Sequence, residues 1–371
     1  MIFEPAAIRQ LKLRNRFVRS ATHDGMADSS GQVTEKQIAL YTGLAQGGCG
    51  LIVTGLANVD QSGRISAFQM DISNDSSIPG LRHLVDAVHG HGARIAAQLS
   101  HAGREACRYQ TLIRKTAIAP SVVKDDPYFE GLCREMTEDE IRQVIRAFGD
   151  AALRAKEAGF DAVQLHGAHA YLFSQFLSPF TNRRTDIWGG ELENRSRFLR
   201  ETCREIRSRV GADYPLLIKL GVQDGFDKGL KFEEGARVAR QCQEWGIDAL
   251  EISQGLRGHY YTETEFRTGI DRAGKEAYFR DWCKAIKSTV DVPVMMVGGL
   301  RRLEQMETII ENREADFVSL CRPLIREPDL ISTWEKEPDH RAACISCNRC
   351  FVAIRNREPL GCAIEGELKK S

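Results

Sequence analysis

Residues 164–179 read QLHGAHAYLFSQFLSP, and they place His166, His169 and Tyr171 within six positions of one another, directly after an apolar run. Two imidazoles can ligate a metal or donate hydrogen bonds to an oxygen, and a phenol can deliver a proton. Zinc would need a third nitrogen, thiolate or carboxylate ligand. None stands in the neighbouring sequence, which weakens the zinc reading and leaves an acid–base cluster or ordinary loop polarity open. A second group lies near the carboxyl terminus, where Cys344, Cys347 and Cys350 follow a C-x2-C-x2-C spacing and Cys362 comes after eleven further residues. Closely wrapped thiolates with one remote partner are the ligand arrangement of [4Fe-4S] ferredoxins. Zinc, or thiols without any metal, stay open as alternatives.

The elements that would carry these groups recur regularly. Apolar β-rich runs begin at Phe17, Cys49, Arg94, Asp161, Pro215, Ala249, Pro293 and Phe317, with charged, helix-periodic segments between them. The clearest helix follows Thr137, which can cap, with Glu140 completing a capping box, an Ile141, Val144, Ile145 and Phe148 stripe, and Gly159 as the stop. Eight strand–helix alternations predict an α/β fold, a (β/α)8 TIM barrel, with an open doubly wound sheet as the alternative. A barrel puts its chemistry at the carboxyl ends of its strands. Those ends hold Ala21, Thr22 and His23, then Gly55 and Leu56, Gln98, the His166/His169/Tyr171 group, Lys219, Gly298 and Gly299, and Cys321 with Arg322. Glycines before a helix beside an arginine form a candidate phosphate site at the ends of strands seven and eight. The connection from His101 to Thr137 is far longer than an ordinary βα loop, and its Tyr128 and Phe129 suggest a lid, with a simple surface loop as the alternative.

Lys and Arg together number 51 and so do Asp and Glu, which leaves no field to gather nucleic acid or an anionic membrane and favours a small-molecule substrate. The opening MIFEPAAIRQLKLRNRF lacks a basic-then-apolar signal pattern, and no apolar run approaches a membrane span, so a cytoplasmic location is expected. Eleven cysteines, an odd number, fit reduced thiols or a metal centre better than a disulfide framework. The expected domains are a barrel over residues 1–336 and a Cys-rich C-terminal extension over 337–371.

Several of these stretches carry a family resemblance: LKLRNRFVRSATHDG at 11–25, GLIVTG at 50–55, AAQLSHAGR at 96–104, AIAPS at 117–121, HGAHAYLFSQFLSPFTNRRTDIWGGELENRSRF at 166–198, VGG at 297–299 and SLCRPLIREPDL at 319–330. In matching order over residues 2 to 336, the chain resembles the Old Yellow Enzyme flavoproteins, especially the branch of 2,4-dienoyl-CoA reductase and trimethylamine dehydrogenase. The resemblance implies a barrel holding FMN without a covalent link, reduced by NAD(P)H, acting as an ene-reductase on the C=C bond of an α,β-unsaturated carbonyl compound. It implies that Ala21, Thr22 and His23 line the flavin, and that the Leu56 backbone and Gln98 meet its polar edge. Lys219 falls beside flavin N1, where many relatives have arginine, and Gly298, Gly299, Cys321 and Arg322 hold the phosphate. His166 and His169 would bind the substrate carbonyl oxygen and Tyr171 would donate the proton.

The branch's cluster pattern is C-x2-C-x3-C-x11-C, and the gap before Cys350 is one residue short of it. If a cluster is present, an electron-donor protein becomes a plausible partner; otherwise NAD(P)H would stack on the flavin directly. An amine or ether demethylase like trimethylamine dehydrogenase is a second reading. A non-flavin aldolase or isomerase with Lys219 as Schiff-base lysine is a third. Substrate identity, nicotinamide preference and oligomeric state are not legible.

Overall fold

The computed structural model describes residues 1–364 except 125, 127, 128, 130, 259–262, 273, 356, 357 and 359, so Tyr128 of the expected lid lies outside the described residues. Eight parallel strands form the centre: β1 (Phe17–Arg19), β2 (Leu51–Asn58), β3 (Arg94–Ser100), β4 (Ala162–Gly167), β5 (Leu216–Gly221), β6 (Ala249–Ser253), β7 (Val294–Val297) and β8 (Phe317–Leu320). Each pairs with its sequence neighbour, and β1 pairs with both β2 and β8, which closes the sheet into a barrel. The expected (β/α)8 architecture is the observed one.

Around the barrel lie α1 (Glu35–Gln46), α2 (Ile78–His89), α3 (Glu138–Ala158), α4 (Arg197–Val210), α5 (Phe232–Glu244), α6 (Arg280–Lys287), α7 (Leu303–Glu311) and α8 (Leu330–Lys336). In α3, Thr137 and Glu140 form the expected reciprocal capping box, and Gly159 ends the helix in the left-handed region at φ 95°. The helices bury their apolar stripes against the outer face of the sheet, where Phe148, Phe173 and Phe198 belong to one continuous core. No described helix is long and apolar enough to cross a membrane.

Side chains alternate across a strand, so every second residue of each strand points into the barrel. The lower interior layer is apolar, with Val18, Leu51, Ala96, Ala162, Leu217, Ala249, Met295 and Phe317 packed in one cluster. An antiparallel hairpin of Ala6–Ile8 and Leu11–Leu13 closes that end, pressing Ile8, Leu11 and Leu13 onto the same cluster. Two residues further along the strands the interior turns polar, with Ser20, Gln98, Gln164, Lys219, Glu251 and Ser319, all buried. Burying six polar side chains in one layer costs free energy unless they bond one another or a ligand. That layer is the floor of the functional site.

The excursion from His101 to Thr137 contains a short helix, Cys107–Leu112, and a two-stranded pairing of Ala117–Ala119 with Cys133–Glu135. Inside it, buried Arg104 bonds Asp126 at 2.8 Å and lies 4.2 Å from the centre of the Phe129 ring. After α8 the chain runs back across the carboxyl face of the barrel, held by arginines. Arg301 donates to the carbonyls of Ala342 (2.8 Å) and Cys344 (2.9 Å), and Arg326 to that of Ala343 (2.7 Å).

Candidate active site

At the carboxyl end of the barrel a cavity of about 200 Å³ opens above the polar layer. Ala21, Thr22, His23, Leu56, Gln98, His166, His169, Tyr171, Lys219, Gly298, Gly299, Cys321 and Arg322 all line it. The reason is topological. In a closed parallel barrel every strand ends on the same rim, so residues scattered over three hundred positions converge.

The opening motif is positioned by an unusual backbone. His166 is the last inward residue of β4, and after it His169 and Ala170 both adopt left-handed conformations, at φ 60° and 66°. Non-glycine residues pay for that conformation, and here the loop after β6 supports them. The His169 amide donates to the carbonyl of Gln254, and that of Ala170 to Gly255, both at 3.0 Å. The chain thus doubles back so that both imidazoles and the phenol face the cavity. The His166 ring lies 4.9 Å from that of His169, edge to face, and 4.6 Å from that of Tyr171.

Burial, then the mutual influence of His169 and the positive charge of Lys219, hold the His166 pKa well below its ordinary value. Burial, Lys219 and Arg257 do the same to His169. Both imidazoles are therefore neutral at pH 7, each with one N–H donor. Nε2 of His169 is 2.8 Å from Ser253 Oγ, and its Nδ1 is 4.0 Å from Glu265. Nδ1 of His166 is buried with no hydrogen-bond partner among the described residues. Burial raises the Tyr171 pKa, with Arg257 opposing, so the phenol keeps its proton throughout the neutral range.

On the floor, Lys219 Nζ donates to Ser20 Oγ at 2.8 Å and lies 3.4 Å from the Glu251 carboxylate. Leu56 reaches the rim because the β2–β3 register shifts between Val53 and Leu56, which sets Leu56 opposite Gln98. On the far wall Gly298 and Gly299 have φ 106° and 77°. A Cβ on Gly298 would stand 2.6 Å from the Tyr278 ring, and one on Gly299 2.9 Å from the Ala277 nitrogen. Only glycine fits this turn. Cys321 Sγ lies 2.9 Å from Thr22 Oγ1, which also accepts from Arg19 at 2.7 Å. Burial raises the Cys321 pKa, but Arg19, the Thr22 hydrogen bond and Arg322 outweigh it, and the thiol titrates below its ordinary value. Arg322 donates to Asn348 Oδ1 (2.6 Å) and to the carbonyl of Arg267 (2.8 Å), so it joins this wall to the C-terminal extension. Burial lowers the His23 pKa, partly offset by Asp24.

Sequence reasoning missed one wall. The segment between β6 and α6 contributes Arg257, Glu265, Phe266, Ile270 and Tyr278 to the cavity. Arg257 bonds Glu265 at 2.7 Å and lies 3.5 Å from Glu105 of the excursion. The signal was present, since the 26 residues from Gln254 to Phe279 are as anomalous for a βα connection as those after His101. Ser346 and Phe351 of the extension also line the cavity, so the segment after residue 336 forms part of the site. The four expected metal ligands Cys344, Cys347, Cys350 and Cys362 line a second, smaller cavity together with Arg322 and Arg326. Burial raises the thiol of Cys344, and that of Cys350 to about 11. Among the described residues no three His, Cys, Asp or Glu side chains are grouped to hold one metal ion.

Comparison with known proteins gives this geometry a lineage. The chain is 36% identical to a metal reductase of Desulforamulus reducens, over 99% of this chain and 54% of that protein. It is 31% identical to a 4,4'-dithiodibutanoate disulfide reductase of Rhodococcus erythropolis, over 95% and 93% of the two chains. The solved complex of a 2-naphthoyl-CoA reductase with 2-naphthoyl-CoA superposes with a TM-score of 0.90 at 28% identity, over 97% of this chain and 56% of that one. The chain thus spans about half the length of the metal reductase and of the naphthoyl-CoA reductase. A family model describing NADH:flavin oxidoreductases and NADH oxidases matches residues 1–340, and the chain belongs to that family.

Proposed function

We propose that this chain is an FMN-dependent ene-reductase that takes hydride from NAD(P)H and reduces a C=C bond conjugated to a carbonyl. The observation that carries the reading is the convergence of two neutral imidazoles and a protonated phenol over a floor that holds a buried lysine. The residues fit the flavin. Gly298 and Gly299 turn the chain along the cavity wall, the His166 Nδ1 atom is buried without a partner among the described residues, and Lys219 supplies a cation. Gln98, Lys219 and the Leu56 backbone would hold the isoalloxazine edge. Ala21, Thr22 and His23 would line its face, and Gly298, Gly299, Cys321 and Arg322 the phosphate.

When bound, FMN would supply the hydride chemistry that links the nicotinamide to the substrate β-carbon. His166 and His169 bind the carbonyl oxygen through N–H donors and stabilise the negative charge that grows on it, as an oxyanion hole does. Neutral imidazoles suit this role because they donate without surrendering the proton. Tyr171 delivers a proton to the α-carbon, and the paired Arg257 and Glu265 line the wall of the same cavity. A conjugated carbonyl is also what 2-naphthoyl-CoA presents, and the naphthoyl-CoA reductase is the structural neighbour described above. Lys219 is a poor Schiff-base candidate, because its ammonium is engaged with Ser20 and Glu251.

For the extension we propose a [4Fe-4S] cluster in place of zinc. With Zn–S bonds of about 2.3 Å, one zinc would draw its thiolates within about 4 Å of one another, whereas a cluster spreads four ligands around a larger core. All four cysteines line one cavity, and the closely spaced run with one remote cysteine is what the cluster reading rests on. A protein that donates electrons through the cluster is the partner this reading implies. The test is anaerobic purification with flavin, iron, sulfide and zinc quantified, followed by NADH and NADPH titration. One FMN per chain, bleached by either nucleotide, supports the reading, and a colourless protein refutes it.

A further inference from the structure

We propose that Glu251 is a positioning residue for the flavin site: it tempers the charge of Lys219 and, through Gln164, sets which way Gln98 presents its amide. This rests on the FMN reading given above. Glu251 is fully buried in the interior of β6, and the parallel register places it directly beside Lys219 of β5. Its Oε2 accepts from Gln164 Nε2 at 3.0 Å and lies 3.4 Å from Lys219 Nζ, while Oε1 is buried with no partner among the described residues. Gln164 Oε1 in turn accepts from Gln98 Nε2 at 2.8 Å. One carboxylate therefore anchors a chain with both ends, Lys219 and Gln98, on the cavity.

Stability does not account for it. A buried ion pair repays its desolvation only with good geometry and full hydrogen bonding, and an apolar pair of similar volume is often as stable. Here one oxygen has no partner among the described residues, so the charge is retained at a cost. Two consequences follow from its chemistry. A carboxylate only accepts, so Gln164 must turn its NH2 toward Glu251 and its oxygen toward Gln98. Gln98 must then spend its NH2 on Gln164, which leaves its carbonyl oxygen as the acceptor on the cavity side. An acceptor is what the imide N–H of a flavin pyrimidine ring requires. The second consequence is electrostatic. A lone lysine beside the flavin would favour the negative charge of the reduced form. The paired carboxylate offsets part of that charge, so Glu251 holds the flavin potential below the value Lys219 alone would set.

The test is the two-electron midpoint potential of the FMN-loaded protein and of its Glu251→Gln variant, measured by equilibration with a reference dye. Removing the negative charge is expected to favour reduced over oxidised flavin at least tenfold, which is about 30 mV for this couple. Glu251→Asp keeps the charge but draws it back from Lys219, and is expected to shift the potential in the same direction by less. A merely structural role would lower thermal stability and leave the potential in place. An E251Q potential equal to or below that of the parent overturns the proposal. If E251Q purifies without flavin, E251D decides on the same criterion. Gln164→Met cuts the chain to Gln98 and leaves the lysine pair, so FMN affinity should fall at least threefold; unchanged affinity overturns the amide-orienting part. A parent protein that binds no flavin would refute the FMN reading itself, an outcome visible before any variant is made.

Discussion

Nε2 of His169 lies 2.8 Å from Oγ of Ser253, which joins the motif after β4 to the last residue of β6, two strands away. The hydroxyl fixes the ring of a side chain whose backbone is already held in a left-handed turn. Ser253→Ala should free the ring and slow reoxidation of reduced flavin by an enone roughly tenfold, equivalent to about 1.4 kcal/mol of transition-state stabilisation. Stopped-flow measurement of the two half-reactions checks this. The flavin-reduction step should change by less.

Tyr171→Phe separates the proton donor from the rest of the site. General acid catalysis is worth on the order of 10²–10⁴-fold, so enone reduction should fall within that range while reduction of the flavin by NAD(P)H stays nearly intact. Equal losses in both half-reactions would remove the proton-donor assignment.

The buried histidines make a pH prediction with a definite sign. Burial lowers the folded-state pKa of His166, His169 and His101, the last to about 4. Their unfolded pKa is near 6.5. Below about pH 6.5 the unfolded chain therefore binds protons that the fold refuses, and stability falls with pH. Above that value these groups contribute their full stability. Urea midpoints should be flat from pH 8 to 7 and decline from pH 6.5 to 5. His166→Gln should flatten the decline. The rate of enone reduction should show no imidazole inflection near pH 6.5.

Gly298→Ala introduces a methyl group 2.6 Å from a Tyr278 ring carbon, at φ 106°. Tyr278 cannot easily retreat, because its hydroxyl donates to the Glu265 carbonyl at 2.7 Å. The variant should lose about 1–3 kcal/mol of stability from backbone strain and a larger share of its FMN occupancy. Differential scanning calorimetry and flavin absorbance measure the two effects separately.

The barrel was legible because its strands are buried on both faces and read as apolar runs, as Leu216–Gly221 does between Pro215 and its terminal glycine. Once the strands are known, topology alone brings His166, Lys219 and Cys321 to one rim. The Glu251–Gln164–Gln98 chain was not legible, since it depends on which residues of neighbouring strands fall opposite one another. The wall carrying Arg257 and Glu265 was legible only as an over-long connection; it follows no period and takes its shape from contacts such as the ion pair with Glu105. The docking of the extension escaped for a related reason. Arg301 and Arg326 hold it through backbone carbonyls, which any sequence would supply.

The central claim is that one pocket passes hydride from NAD(P)H to an activated alkene, with His166, His169 and Tyr171 acting on the second substrate. Anaerobic double mixing tests it most directly: the protein is reduced with one equivalent of NADH or NADPH, then mixed with 2-cyclohexenone while the flavin band is followed. The account predicts bleaching, then recovery of the oxidised spectrum with one equivalent of cyclohexanone formed. Bleaching by nicotinamide without recovery or saturated product would contradict it.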